Sequence, residues 1–286
     1  MKVEELLVAI NSIHHTELAV SRKLQGGYQG GGHLLTEPGG RSLVLKCGYA
    51  EYAVKAVSRL RAVGYPVPPV RYSGVTENGV RYWIEEFVPG TPMGELQVQY
   101  VDQVLSLNSL QADLATGIDP DPDQNWSQYA HAVVFADESG WRELIGGLSV
   151  RTRALLEVID EGTKPFAGEN LPETDLVHGD FIPDNILVHD GTVVAVIDNT
   201  HFGRGTRAID LAALIHYSRL YGYSAVVQNR LVQEAKSMSP PPGVLAVCLS
   251  YRVMAMLAWV ITRDAEGVIQ HHAEVGMELV TRFSQF

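Results

Sequence analysis

The stretch Leu176-Val177-His178-Gly179-Asp180-Phe181-Ile182-Pro183-Asp184-Asn185-Ile186-Leu187-Val188 decides how the rest of the chain is read. Apolar residues at both ends flank a polar centre that Gly179 and Pro183 keep from being regular structure. The pattern predicts a loop, a strand over Ile186–His189, a turn at Asp190-Gly191 and a second strand over Val193–Ile197. Asp198 closes that second apolar run, thirteen residues after Asn185. Two short paired strands would hold three oxygen-bearing side chains, Asp180, Asn185 and Asp198, on one side of a cleft. A lone aspartate in a loop is ordinarily a turn former. Three such groups at fixed offsets around a hairpin point instead to chemistry.

The stretch resembles the catalytic loop of kinases, whose H-R-D-L-x-x-x-N pattern places Asn five positions after Asp. With His178-Gly179-Asp180 leading to Asn185, it is similar to the form carried by the aminoglycoside phosphotransferase (APH) family, small-molecule and antibiotic kinases of the protein-kinase-like superfamily. The resemblance implies an α+β, two-lobed protein-kinase-like fold. Residues 1–88 would form a strand-rich nucleotide-binding lobe, and residues 89–286 a mainly helical catalytic and substrate lobe. It further implies a phosphotransferase that moves the terminal phosphoryl group of ATP or GTP to a hydroxyl of a small molecule, with Mg²⁺. Such transfer passes through a loose transition state, so the protein mainly positions reactants and neutralises charge. Asp180 would then accept or orient the proton of the attacking hydroxyl. Asn185 and Asp198 would offer Mg²⁺ the hard oxygens it prefers. Asp198 takes the place of the kinase DFG aspartate.

Supporting residues follow from the same resemblance. His178 fits a hydrogen-bonded structural histidine. In Gly203-Arg204-Gly205-Thr206-Arg207-Ala208-Ile209-Asp210-Leu211-Ala212, Asp210 fits the aspartate that starts a helix and ties down the catalytic loop. The family usually shows an acid and a proline where this chain has Thr206 and Arg207, and an aromatic where it has Asn199. These departures leave the metal ligands untouched and bear on the acceptor. Nearer the N-terminus, Lys46 ends the run Ser42-Leu43-Val44-Leu45 and matches the lysine that holds nucleotide phosphates. Gly26-Gly27-Tyr28-Gln29-Gly30-Gly31-Gly32 lies between two strands, where Gly27 and Gly30 would cover the phosphates; a flexible hairpin turn explains it equally well. Glu51, the one acid on the next helix, is the candidate partner of Lys46, with a plain surface charge as the alternative. Ile84-Glu85-Glu86-Phe87-Val88-Pro89-Gly90 resembles the interlobe hinge, with backbone groups near Glu86 and Val88 meeting the base.

Periodicity fills in the frame. Val3, Leu6, Leu7 and Ile10 predict an opening amphipathic helix. Strands are expected over Leu18–Leu24, His33–Thr36, Ser42–Cys47, Val70–Val75 and Val80–Val88, with a helix over 50–63 and a hairpin turn at Glu37-Pro38-Gly39-Gly40. Long helices are expected at roughly 97–115, 141–161, 208–220, 224–236, 244–263 and 267–284. The apolar side chains of 244–263, among them Met254, Leu257 and Ile261, read as core.

Composition excludes several classes. With 46% hydrophobic and 19% charged residues, the chain can bury a core without disulfides; its two cysteines, Cys47 and Cys248, form no CxxC pattern. The absence of a basic–apolar leader at Met1-Lys2-Val3-Glu4-Glu5, and of an apolar run approaching the roughly 20 residues that span a bilayer, predicts a cytoplasmic protein without a membrane partner. A net charge of -11 argues against nucleic acid. That acidity sits in residues 89–179, which carry 4 basic and 15 acidic side chains. It forms either a solvated surface or a rim that attracts a cationic substrate. His14-His15 and His271-His272 lack metal-site spacing. Three functions remain: an antibiotic kinase, a metabolic kinase of a small alcohol or amino alcohol, and a catalytically silent nucleotide-binding module. The sparse acids of the terminal helices and the positive charge at Arg207 favour an acceptor with few positive charges.

Overall fold

A computed structural model describes residues 2–24, 32–48, 51–137, 139–238, 240–263 and 266–284. The chain opens with helix α1 (Val3–His14), followed by strands β1 (Ala19–Lys23), β2 (His33–Thr36) and β3 (Ser42–Cys47), helix α2 (Glu51–Ala62), and strands β4 (Val70–Val75) and β5 (Arg81–Glu86). The five strands make one antiparallel sheet in the order β1-β2-β3-β5-β4. The Glu37–Gly40 turn closes the β2–β3 hairpin, with Gly40 N–H donating to the Glu37 carbonyl at 2.8 Å.

Strand alternation divides the residues of the sheet between two cores. Leu35, Leu43, Leu45, Tyr82 and Ile84 pack with Leu6, Leu7 and Ile10 of α1. Trp83, of opposite parity, joins Tyr52, Ala53, Ala56, Val57 and Leu60 of α2 in the core that runs on into the C-terminal helices. Burying each large apolar side chain contributes about 1.5–3 kcal/mol, and that contribution holds α2 between the sheet and the helices.

A short strand β6 (Thr91–Pro92) leads to helices α3 (Val98–Leu110), α4 (Trp126–Phe135), α5 (Trp141–Leu148) and α6 (Val150–Thr163). Strand β7 (Asp175–Val177), the hairpin β8 (Ile186–His189) and β9 (Thr192–Val196), and strand β10 (Gly203–Gly205) follow, then α7 (Ala208–Leu220), α8 (Ala225–Met238), α9 (Val244–Ile261) and α10 (Glu266–Phe283). β6 extends the hairpin to three strands, and β10 pairs with β7. α9 is the central helix, packed by α4, α5, α6, α7 and α10. It is the helix among the described residues that is long and apolar enough to cross a bilayer, yet 83% of it is buried inside the protein.

Three expectations change. The helix read over 141–161 breaks at Ser149, whose hydroxyl accepts from Thr152 N–H at 3.1 Å and so caps a new helix, α6. α4 escaped the sequence reading; its cap is Asn125, whose side chain accepts from Gln128 N–H at 3.1 Å. The loop before Asp180 is strand from Asp175 to Val177, since β10 supplies the edge it needs.

Candidate active site

Asp210 organises the loop that carries Asp180. It lies in the first turn of α7 and is fully buried. Its Oδ2 accepts from His178 N–H and Gln111 Nε2, each at 2.8 Å, and its Oδ1 accepts from Gly179 N–H at 2.9 Å. Burial pushes this carboxyl upward, against the pull of His178, Gln111 and the Gly179 amide. His178 connects the loop to the hairpin. Its Nε2 meets the Ile197 carbonyl at 2.9 Å, while Nδ1 accepts from Asp180 N–H at 3.3 Å. The neutral tautomer with its hydrogen on Nε2 satisfies both contacts.

Gly179 is required twice over. Its φ is +81°, and a Cβ there would lie 2.1 Å from the indole of Trp126. Trp126 is held in turn by its Nε1–H, which donates to the His201 carbonyl at 3.1 Å. The loop thus bends over an immobilised aromatic ring, and Asp180 leaves the bend half-exposed.

Asn185 donates from Nδ2 to both the Asp180 carbonyl at 2.9 Å and Asp180 Oδ2 at 3.1 Å. Its own carbonyl accepts from Ile197 N–H at 2.9 Å, which sets its register against the residue before Asp198. Asp198 adopts a left-handed conformation, φ 65°, which aspartate tolerates better than most residues. Its side chain is 53% exposed and its Oδ1 lies 3.8 Å from Lys46 Nζ. The Asn185 side-chain carbonyl and the Asp198 carboxylate are hard oxygens of the type Mg²⁺ accepts when phosphates and water complete its shell. Among the described residues no cluster of three or more His, Cys, Asp or Glu could by itself hold a metal ion.

Lys46 lies at the end of β3, its side chain 16% exposed. Glu51 is not its partner: it is exposed at the start of α2. The ammonium pairs with Glu85, whose Oε1 is 3.0 Å away and whose side chain is 2% exposed. At an effective dielectric of ~20 that separation corresponds to an attraction on the order of 5 kcal/mol, much of it offset by desolvation. Neither carboxylate contact has hydrogen-bond alignment, so the nearly enclosed Nζ retains donor capacity for a further acceptor.

The hinge candidates lie beside this pair. Glu86 ends β5, donates its N–H to the Pro69 carbonyl at 3.0 Å and pairs its carboxylate with Arg71. Val88 is half-buried in the irregular segment that follows. Gly27 and Gly30 lie outside the described residues.

Arg252, missed in the sequence, enters the site from α9. It is 8% exposed, and its Nη2 donates to Asp180 Oδ1 at 3.3 Å. Its guanidinium lies over the Tyr217 ring, 5.3 Å from the centroid, and its Nε has no hydrogen-bond partner among the described residues. Burial works against its charge, but Asp180, Tyr217 and Tyr251 outweigh burial and raise its pKa. The signal was one arginine inside the otherwise apolar run of α9. Arg207, by contrast, is tied into the framework, its N–H on Asp175 Oδ2 at 2.9 Å and its Nη1 on Asn108 Oδ1 at 3.1 Å.

A family model described as the phosphotransferase enzyme family, APH, matches residues 49–229. No curated protein sequence matches the chain. Among solved structures, a thermostable mutant of aminoglycoside phosphotransferase APH(4)-Ia, in ternary complex with ADP and hygromycin B, superposes with a TM-score of 0.64 at 18% identity, covering 99% of this chain and 98% of that one. The GDP complex of aminoglycoside 2'-phosphotransferase-IIIa gives 0.62 at 12% identity over 99% of each chain. An aminoglycoside phosphotransferase from Alicyclobacillus acidocaldarius gives 0.60 at 14% identity, over 96% of this chain and 94% of that one. The architecture shared with them is the two-lobed protein-kinase-like fold.

Proposed function

This chain belongs to the APH phosphotransferase enzyme family and is a small-molecule kinase, and we propose that it transfers the terminal phosphoryl group of ATP or GTP to a hydroxyl of an antibiotic or related natural product bearing few positive charges. Residues 1–88 serve as the nucleotide-binding lobe and 89–286 as the catalytic and acceptor lobe. Asp180 orients the acceptor hydroxyl and takes its proton. Asn185 holds the Asp180 carboxylate through Nδ2 and keeps its side-chain oxygen for Mg²⁺, as Asp198 does with its exposed carboxylate. Bound there, Mg²⁺ would neutralise charge on the phosphates. Lys46 donates to phosphate oxygens, the backbone around Glu86 and Val88 meets the base, and His178 and Asp210 keep the loop in shape. A cytoplasmic location, where nucleoside triphosphates are at hand, fits this reading.

The observation that carries the acceptor assignment is Arg252. A buried guanidinium 3.3 Å from Asp180 places a fixed positive charge beside the carboxylate that would receive the hydroxyl. An ammonium group on the acceptor close to that hydroxyl would meet like charge. A neutral, oxygen-rich acceptor would meet no such repulsion. The acidity of residues 89–179 then acts as a solvated surface. The test is nucleotide turnover against a panel of natural-product antibiotics and small alcohols, at low and moderate salt. A good acceptor should be neutral or nearly so, with a KM little changed by salt because few exposed charge pairs are screened. A polycationic aminoglycoside as best substrate, with KM rising steeply with salt, overturns the acceptor class.

A further inference from the structure

We propose that Glu85 is the carboxylate that positions Lys46 for the nucleotide phosphates, replacing a helix glutamate, so that the lysine is set by the sheet and not by α2. This rests on the reading that Lys46 binds those phosphates. The β3–β5 register places Lys46 directly opposite Trp83. Glu85, two residues on, points to the same face and is the diagonal neighbour of Lys46, within reach of a long side chain. Both Glu85 oxygens are engaged: Oε1 is 3.0 Å from Lys46 Nζ, and Oε2 accepts from Trp83 Nε1 at 2.7 Å. A carboxylate 2% exposed needs a cation, and among the described residues the cation paired with it is Lys46. α2 offers nothing comparable. Its only acid is Glu51, exposed in the first turn, and its buried residues are Tyr52, Ala53, Ala56, Val57 and Leu60.

The location of the partner matters. In protein kinases the lysine pairs with a glutamate on a mobile helix, so helix position controls activity. Here both members of the pair lie on adjacent hydrogen-bonded strands, and displacement of α2 leaves their separation unchanged. The lysine is therefore preset in the absence of any activating event.

The test uses the full chain with Glu85→Gln, Glu85→Asp, Glu51→Gln and Lys46→Met. Binding of Mg·ATP and Mg·GTP is compared with binding of adenosine and guanosine, which lack the phosphates. Glutamine can still accept from Trp83, so the first variant isolates the charge. It should weaken triphosphate binding at least ~10-fold, on the scale of a lost charge-assisted contact, and leave nucleoside binding unchanged. Glu85→Asp should fall between Glu85→Gln and wild type, and Glu51→Gln should stay within about twofold of wild type. Equal losses for nucleoside and triphosphate in Glu85→Gln would mean a purely structural role and overturn the proposal. So would a tenfold loss of triphosphate affinity in Glu51→Gln, a surface change that decides the matter even if Glu85→Gln does not fold. If Lys46→Met retains full triphosphate affinity, it is the phosphate role of Lys46 that fails, and the proposal fails with it.

Discussion

Substituting Gly179 by alanine tests whether the loop that carries Asp180 depends on its close approach to Trp126. Three costs add. An L-residue held at φ +81° is strained by about 1–2 kcal/mol. The new Cβ, placed 2.1 Å from a ring carbon of Trp126, forces a displacement, and overpacking of this kind costs about 1–3 kcal/mol. Moving the indole breaks its hydrogen bond to the His201 carbonyl, worth about 0.5–1.5 kcal/mol. The sum is on the order of 3–6 kcal/mol, a large part of the typical 5–15 kcal/mol of a folded protein. Equilibrium urea unfolding measures it, with turnover followed in parallel because Asp180 is the next residue. The double variant Gly179→Ala/Trp126→Ala removes the clash and keeps the backbone strain. A double-mutant cycle should therefore return a favourable coupling of about 1.5–4.5 kcal/mol, the clash plus the hydrogen bond that either single change breaks. If Gly179→Ala costs less than about 1 kcal/mol and turns over normally, the ring does not constrain the loop and the reasoning fails.

Asp180→Ala should cut turnover by on the order of 10²–10⁴ while nucleotide affinity, measured by calorimetry, stays near wild type; residual activity above about a tenth removes Asp180 from the role. Asp198→Asn should weaken Mg²⁺-dependent nucleotide binding more than Asp180→Ala does, since an amide lacks the charge of a metal-ligating carboxylate. Titrations with and without Mg²⁺ separate the two, and equal affinities would move the metal elsewhere. Acid should destabilise the protein through His272, which burial and then the His271 charge lower from 6.5 to about 4. Between those values the unfolded chain binds more protons, so this contribution is complete above about pH 6.5 and is lost as pH falls toward 4. The melting temperature of His272→Phe should fall less over that window than that of wild type; parallel curves would exclude the residue.

The grouping of Asp180 and Asn185 with the hairpin that ends before Asp198 could be expected from the motif spacing the chain shares with kinase catalytic loops, because a loop and two short strands cover so short a span. Lys46 was singled out by its likeness to the kinase lysine near the end of a strand, and it does lie in β3. Its partner was not, because a helix glutamate was sought where a sheet diagonal supplies one; adjacent Glu85 and Glu86 in a strand do require one of the two to face inward. Arg252 was hidden by its setting, since hydrophobic pattern assigns α9 wholly to the core and contains nothing about which turn of it reaches Asp180. α4 and the β7–β10 pair escaped for a related reason: a two-strand contact between Asp175–Val177 and Gly203–Gly205 is a tertiary fact.

The apolar face of α2 has a consequence for how this protein can be divided. Ala53, Ala56, Val57 and Leu60, with Trp83 from the sheet, are buried in the same continuous core as the C-terminal helices. Pro66, just beyond α2, accepts the N–H of Val196 at 2.8 Å, and Tyr65 meets Phe202 edge-on with centroids 6.3 Å apart. Cutting the chain near residue 88 would bare those side chains on both fragments. The two parts are therefore not interchangeable modules. A chimera that grafts a relative's N-terminal part onto this C-terminal part would have to carry over the 196–202 segment along with α2, or it would inherit a mismatched seam directly behind Asp198.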